Sequence, residues 1–221
     1  MTGSMMAEIS LTITEKNGAV RNRTIAIASK SYPDGTEKRF IRFLEPSDVR
    51  GTAMLIADNK DTPDEMWIWL PALKKTRRIV TAEKGKSFMS SEFSNSDMSS
   101  PALSDFTYKH LPGSGENQQW IIESIPANER ISDEYGYSRK VSFLDRQNMR
   151  VQKMKFYNFD NKLFKEIEIK KVVPLEGDRY LVSDMSVENL ITGRKSEIVF
   201  NNIKEGVKVD DSVFTIQNLE R

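Results

Sequence analysis

Apolar and polar positions alternate with period two along most of the chain. Ile9, Leu11 and Ile13 alternate with Glu8, Ser10, Thr12 and Thr14, the pattern of a strand with one dry and one wet face. Asn17-Gly18 follows. Both residue types tolerate positive φ, so the pair is a strong hairpin signal. Residues 20–29 then return, with Ile25 and Ile27 on the face of Arg21 and Arg23. The same reading predicts strands at 37–44, 52–58, 66–70, 75–80, 105–111, 118–125, 137–145, 150–158, 163–173, 179–190, 195–203 and 213–219. Asp160-Asn161, Glu176-Gly177-Asp178 and Thr192-Gly193 punctuate them as turns. Connections this short join antiparallel neighbours, because parallel strands need long crossovers. The prediction is an all-β meander. Helical signals are confined to a short turn opened by Pro46 and ended by Gly51, and to residues 126–134.

Three stretches break the alternation. Met66-Trp67-Ile68-Trp69-Leu70 is apolar on both faces, which a sheet with one wet side does not produce. Either the strand is buried twice within the domain, or its second face is covered by a lid, a partner or a ligand. Directly after it come Lys74, Lys75, Arg77 and Arg78. They form a solvated run or a basic rim touching anionic lipid or a partner, worth ~1 kcal/mol per residue near a charged membrane. Residues 87–105 are serine-rich with isolated large apolar side chains. They read as a surface excursion anchored by Phe88 and Phe93, or as a lid over a cavity.

Composition narrows the function. The 221 residues carry 33 basic and 32 acidic side chains, a net charge of +1. Proteins that bind phosphate backbone carry a clear basic excess, so nucleic acid is not an expected partner. One domain over residues 1–221 accounts for the length. No cysteine is present, and the single histidine is His110. Disulfides, thiolate chemistry and the usual zinc sets are thereby excluded, and no metal or cofactor is expected. Gly113-Ser114-Gly115 lacks nucleophile-elbow spacing. Glu166 and Glu168 alternate with Ile167 and Ile169, as on a solvated outer face. A glycosidase-like carboxylate pair is the one catalytic arrangement left open. An enzyme is not the expected reading. The longest apolar run, Met66 to Leu73, is too short to span a bilayer. No leader opens the chain; Met1 is read as a start placed on a mature sequence, which leaves secretion open.

The motifs resemble one family. Phe43-Leu44-Glu45-Pro46-Ser47-Asp48-Val49-Arg50-Gly51-Thr52, then Met66-Trp67-Ile68-Trp69-Leu70-Pro71-Ala72-Leu73-Lys74-Lys75 with Arg77-Arg78-Ile79, then Ser87-Phe88-Met89 to Asp97-Met98, are similar in order and spacing to segments of the outer-membrane lipoprotein-sorting, LolA-like proteins of Gram-negative bacteria. The match covers about residues 8–105. Ser90 stands where the family has glycine and Asn95 where it has tyrosine, and the helix expected before the first strand is missing. Arg21 and Arg23 are the candidates for the buried arginine that holds the lid in relatives.

The resemblance implies a strongly curved antiparallel sheet, an unclosed half β-barrel with short helices or loops as a lid. It implies a periplasmic carrier of acyl chains with no catalytic residues. The expected cargo is a lipid or lipidated protein, with an inner-membrane exporter and an outer-membrane acceptor as partners and only transient membrane-surface contact. Combined with period two, it marks Leu11, Ile13, Ile25, Ile41, Phe43, Met54, Trp69, Val141, Phe143, Met154, Phe156 and Ile167 as wall residues. Phe88, Met89, Phe93 and Met98 become lid residues. The competing expectations are a non-catalytic interaction module accessory to an inner-membrane lipid exporter and, last, a β-barrel hydrolase or lyase.

Overall fold

The computed structural model describes residues 3–60, 62–112, 119–175 and 179–221. Gly113-Ser114-Gly115 and the expected turn at Glu176-Gly177-Asp178 lie outside them. The alternating stretches form β1 (Gly3–Thr14), β2 (Val20–Ser31), β3 (Glu37–Glu45), β4 (Ala53–Asp58), β5 (Glu65–Leu70), β6 (Lys75–Arg78), β7 (Phe106–Leu111), β8 (Gln119–Pro126), β9 (Arg139–Asp145), β10 (Val151–Tyr157), β11 (Leu163–Pro174), β12 (Tyr180–Asn189) and β13 (Lys195–Glu205). They build one antiparallel sheet in the order β6-β5-β4-β3-β2-β1-β13-β12-β11-β10-β9-β8-β7. The chain meanders outward from β1 to β6, re-enters at the far margin with β7, and meanders back to place β13 beside β1. Among the described residues the sheet does not close on itself, and β6 and β7 are its edges.

One expectation about local structure is met and one is corrected. Pro46 opens and Gly51 ends a turn within the β3–β4 hairpin loop: Val49 N–H donates to Pro46 O at 3.2 Å, and Gly51 has φ 81°. Phe43 N–H donates to Thr52 O and Gly51 N–H to Phe43 O, both at 2.9 Å, extending the ladder past the strands. Residues 213–219 are not a strand. They hold a 3-10 turn at Asp211–Phe214 and a short helix α3 (Ile216–Leu219). The Asp210 and Thr215 side chains, N-capping types, accept from the Ser212 and Asn218 N–H groups. The helix expected within 126–134 is present as α2 (Glu129–Tyr135). Asn128 Oδ1 caps it by accepting from Ile131 N–H at 3.1 Å, and Gly136 ends it at φ 76°.

The two-faced run is resolved by what covers each side. Met66, Ile68 and Leu70 join a core that also takes Leu11, Ile13, Ile25, Phe43 and Met54. Trp67 and Trp69 turn the other way, onto Ala53, Leu55, Val209, Phe214 and Leu219. The C-terminal segment thus straps the second face of β4 and β5. Arg42 holds the strap by donating to the Asn218 carbonyl at 2.7 Å, and Lys30 by pairing with Asp211 at 2.7 Å. The second face of this run is therefore covered by the chain itself.

Between β6 and β7 the chain leaves the sheet through a short helix α1 (Thr81–Lys84). It meets α2 at two glycines: a Cβ on Gly85 would lie 2.7 Å from Gly136 Cα. Both neighbours are backbone, so neither can swing aside. Gly85→Ala should cost about 1–3 kcal/mol by overpacking, read as a lowered midpoint in urea unfolding. An unchanged midpoint would mean that the helices separate freely.

Candidate apolar groove and its lid

Residues opposite one another on neighbouring strands share a face, so the inner face can be read from the register. It carries Ile9 and Leu11 from β1, Ile25 and Ile27 from β2, Ile41 and Phe43 from β3, Met185 and Val187 from β12, and Ile198 and Phe200 from β13. Residues 81–105 lie over this face. Phe88 and Phe93, each 1 % exposed, enter the core as anchors, and the Phe88 ring sits 5.9 Å from that of Phe43. The serine-rich stretch is not structureless. Ser87 and Ser94 form an antiparallel bridge, and 3-10 turns follow at Asn95–Met98 and Leu103–Asp105. Met89 and Ser90 adopt left-handed conformations (φ 48° and 62°). The Ser90 position, glycine in the family pattern, therefore calls for a conformation that glycine adopts without strain.

Between lid and sheet is a groove of about 650 Å³, within the range of about 300–1,000 Å³ for small-molecule sites. Its walls include Ile9, Ile25, Ile27, Ile41, Met185, Ile198 and Phe200, with Phe88 and Met98 from the lid. Of the expected wall residues, Ile25 and Ile41 line it. Leu11, Ile13, Phe43 and Met54 are on the same face but fully buried in the core. Met154, Phe156 and Ile167 line a separate cavity of about 140 Å³ with the lid residue Phe93. Met89 packs half-buried against the core.

Three expected wall residues lie elsewhere. Trp69 faces the C-terminal strap. Val141 stands opposite Lys155 and Glu123, and Phe143 opposite Lys153, whereas Met154 and Phe156 face Ser142 and Lys140. A one-residue shift exchanges the faces of a whole strand, and on β9 the inner positions are Lys140 and Ser142. Burial pushes Lys140 below the ordinary lysine value against the pull of the Asp97 charge, with Lys165 adding to the lowering. Glu166, on the outer face, pairs with Lys153 at 2.5 Å.

Polar clamps fasten the lid at four places. Arg23, buried on the inner face, donates to the Met89 carbonyl and lies 5.8 Å over the Phe43 ring. Arg21 instead pairs with Glu15 at the surface. Arg39 donates to the Met98 carbonyl at 2.9 Å and pairs with Asp58 at 2.7 Å, while Ser100 N–H donates to the same Asp58 oxygen. Lys165 pairs with Asp97 at 2.8 Å. Arg194 reaches the Ser90 carbonyl at 2.9 Å and Glu92 at 2.7 Å. Sequence reading missed Arg39, Lys165 and Arg194, since each partner is distant along the chain. It also passed over Ile9, Ile27, Ile198 and Phe200, which simple continuation of period two would have found.

Beside the Arg39 clamp lies an acidic pair. Burial pushes the Asp58 carboxyl up from its ordinary value against the pull of Arg39, and Asp58 Oδ1 has no hydrogen-bond partner among the described residues. Burial, then the Asp58 charge, pushes Asp64 up to about 6. A carboxyl raised in the folded state binds its proton more tightly there than in the unfolded chain. It therefore costs stability as pH climbs from the unfolded value, about 4, to the folded one. The gain from Asp64→Asn should grow between pH 4 and about 6 and level off above, in urea unfolding at each pH. A gain independent of pH would contradict this.

In the basic run, Arg77 pairs with Glu83 at 2.6 Å and Arg78 with Glu65 at 3.1 Å. Lys74 and Lys75 are exposed beside Leu73, itself 68 % exposed. His110 sits on edge strand β7 against the Trp120 ring. Among the described residues no helix is long and apolar enough to cross a membrane.

The sequence matches no curated protein. Residues 35–221 match a family model described as "Uncharacterized protein". Among solved structures, an outer-membrane lipoprotein-sorting protein domain from Vibrio parahaemolyticus is 25% identical, with a TM-score of 0.89 over 99% of this chain and 92% of that one. A DUF1329 family protein from Desulfovibrio piger is 27% identical, with a TM-score of 0.85 over 98% and 91%. A LolA superfamily protein from Nitrosomonas europaea, at 16% identity and a TM-score of 0.72 over 97% and 91%, shares the fold. The chain belongs to the family matched over residues 35–221, and its open antiparallel sheet is the fold of the outer-membrane lipoprotein-sorting, LolA-like proteins.

Proposed function

We propose that the protein is a non-catalytic carrier that holds acyl chains of a lipid or lipidated protein in its groove and ferries them across the periplasm. The carrying observation is the 650 Å³ apolar groove between the inner face and a clamped lid. In this reading the whole chain acts as one unit and the sheet curves as a half-barrel around the cargo. Ile25, Ile41 and the Phe88–Met98 lid touch the chains, and the neighbouring cavity at Met154, Phe156 and Ile167 extends the space when the lid shifts. Burying each methylene contributes about 0.8 kcal/mol, so affinity needs no catalytic group or cofactor. Release needs a lid held by separable polar clamps rather than by a continuous core. Exposed Lys74 and Lys75 meet the anionic surface of a membrane, or of an exporter or acceptor, during transfer.

Native mass spectrometry of protein purified from its own host should reveal a bound lipid. Delipidated protein should take up a fluorescent fatty acid. Finding no bound lipid and no uptake would overturn the carrier reading.

A further inference from the structure

The groove does not end in bare solvent. Where its walls reach the strand ends at Gly3, Ser4 and Ser31, it shares these residues, together with Arg179 and Glu205, with a second cavity of about 330 Å³. The chemistry changes at that junction. The groove walls are mainly apolar, with Glu37, Arg39 and Asp97 at the lid side, whereas the annex is lined by Lys30, Arg179 and Lys208 against one carboxylate, Glu205. Arg179 pairs with Glu205 at 2.6 Å, and Lys30 with Asp211 at 2.7 Å. Lys208 projects from the exposed segment between β13 and the C-terminal strap. Counting both carboxylates, the annex keeps a net positive charge. A Cβ on Gly3 would lie 2.9 Å from Arg179 Nη1, so the bare glycine lets the guanidinium lie across the groove mouth.

Resting on the carrier reading, we infer that the annex is a headgroup site and that the cargo is an amphiphile with an anionic head, a phosphate or a carboxylate. The chain occupies the groove and the head the annex. A cationic head would enter a site whose net charge is already positive. A neutral head would supply no countercharge for Lys208. An anionic head accepts charge-assisted hydrogen bonds from Lys208 and, beside Asp211, from Lys30.

The test is a calorimetric series on the delipidated protein with one tail and three heads: dodecyl phosphate, monododecanoylglycerol and dodecyltrimethylammonium, with inorganic phosphate alone as the fourth probe. Dodecyl phosphate should bind about tenfold or more tighter than the cationic probe, and the preference should shrink at high salt. Lys208→Glu should bring that ratio near one, weakening dodecyl phosphate far more than monododecanoylglycerol. Gly3→Val, which displaces Arg179 without altering charge, should weaken dodecyl phosphate more than the neutral probe. Inorganic phosphate should bind at least about tenfold more weakly than dodecyl phosphate. Equal affinity for all three heads overturns the headgroup site and leaves the carrier standing. Phosphate binding as tightly as dodecyl phosphate also overturns it, since the annex would then hold a free anion. If no amphiphile binds, the carrier reading fails first. Lys208 is exposed, so its variant keeps the fold, and an unchanged ratio in this variant also overturns the headgroup site.

Discussion

Phe88→Ala should lower the unfolding free energy by about 3–5 kcal/mol, the range for truncating a buried aromatic side chain. Phe88 is 1 % exposed and is the lid residue that both enters the main core and lines the groove. Its backbone is held by the bridge to Phe93, whose carbonyl accepts from Phe88 N–H at 2.7 Å. Truncation therefore leaves a void under the lid rather than a lid free to sink. The void opens onto the groove, so a bound acyl chain should recover part of the loss. Urea unfolding with and without dodecyl phosphate measures both effects. A loss below about 1 kcal/mol would mean that the lid is not part of the core.

This dependence of the lid on the core was only partly legible in the sequence. Period two marks all thirteen strands, because each carries its own alternation and local turn residues, and adds one at 213–219 that is absent. It failed where neighbours rather than local pattern decide the outcome. Val141 and Phe143 look like inner residues by hydrophobicity, yet the β9–β10 register turns Lys140 and Ser142 inward. Hydrophobicity alone points Trp69 to the groove, since nothing near it in the chain announces the C-terminal strap, whose Phe214 and Leu219 pack against its face. Within the strap Val213, Phe214 and Ile216 suggest a strand, while the capping roles of Asp210 and Thr215 are a quieter signal. β1 extends back to Gly3, beyond the alternation that begins at Glu8.

The lid clamps were the least legible feature and matter most for a carrier. The basic residues come from the sheet or, for Arg194, from the β12–β13 turn, and their partners are lid carbonyls or carboxylates 59 to 104 residues away in sequence. Periodicity cannot register such pairs, since a lysine or arginine within a strand has the signature of a wet face. Lys165 illustrates this: alternation with Glu166 and Ile167 puts it on the inner face, opposite Phe156, yet nothing near it in the chain announces its partner Asp97. Apolar anchors set how firmly the lid rests on the core. Polar clamps set how cleanly it can part, because separated ions regain water whereas separated aromatic rings do not.

Lys165→Met should therefore cost more than the loss of a surface ion pair. The Lys165 side chain is 7 % exposed and that of Asp97 is 14 % exposed, with Nζ 2.8 Å from Asp97 Oδ2 and 4.3 Å from the Phe156 ring centroid. Removing one partner of a buried pair costs about 3–5 kcal/mol, because the remaining charge is left without its counterion. Asp97 keeps a hydrogen bond from Ser94 N–H at 2.7 Å, which places the expected loss at the lower end. Adding Asp97→Asn removes the stranded charge while its Oδ1 can still accept from Ser94 N–H, so the double variant should recover a large part of the loss. Urea unfolding of the four proteins in the cycle should give a coupling energy above about 1 kcal/mol. Amides at 86–100 should also lose hydrogen-exchange protection in Lys165→Met while those of β1 and β2 keep theirs. A coupling near zero, or protection lost equally throughout the sheet, would mean that this pair does not clamp the lid.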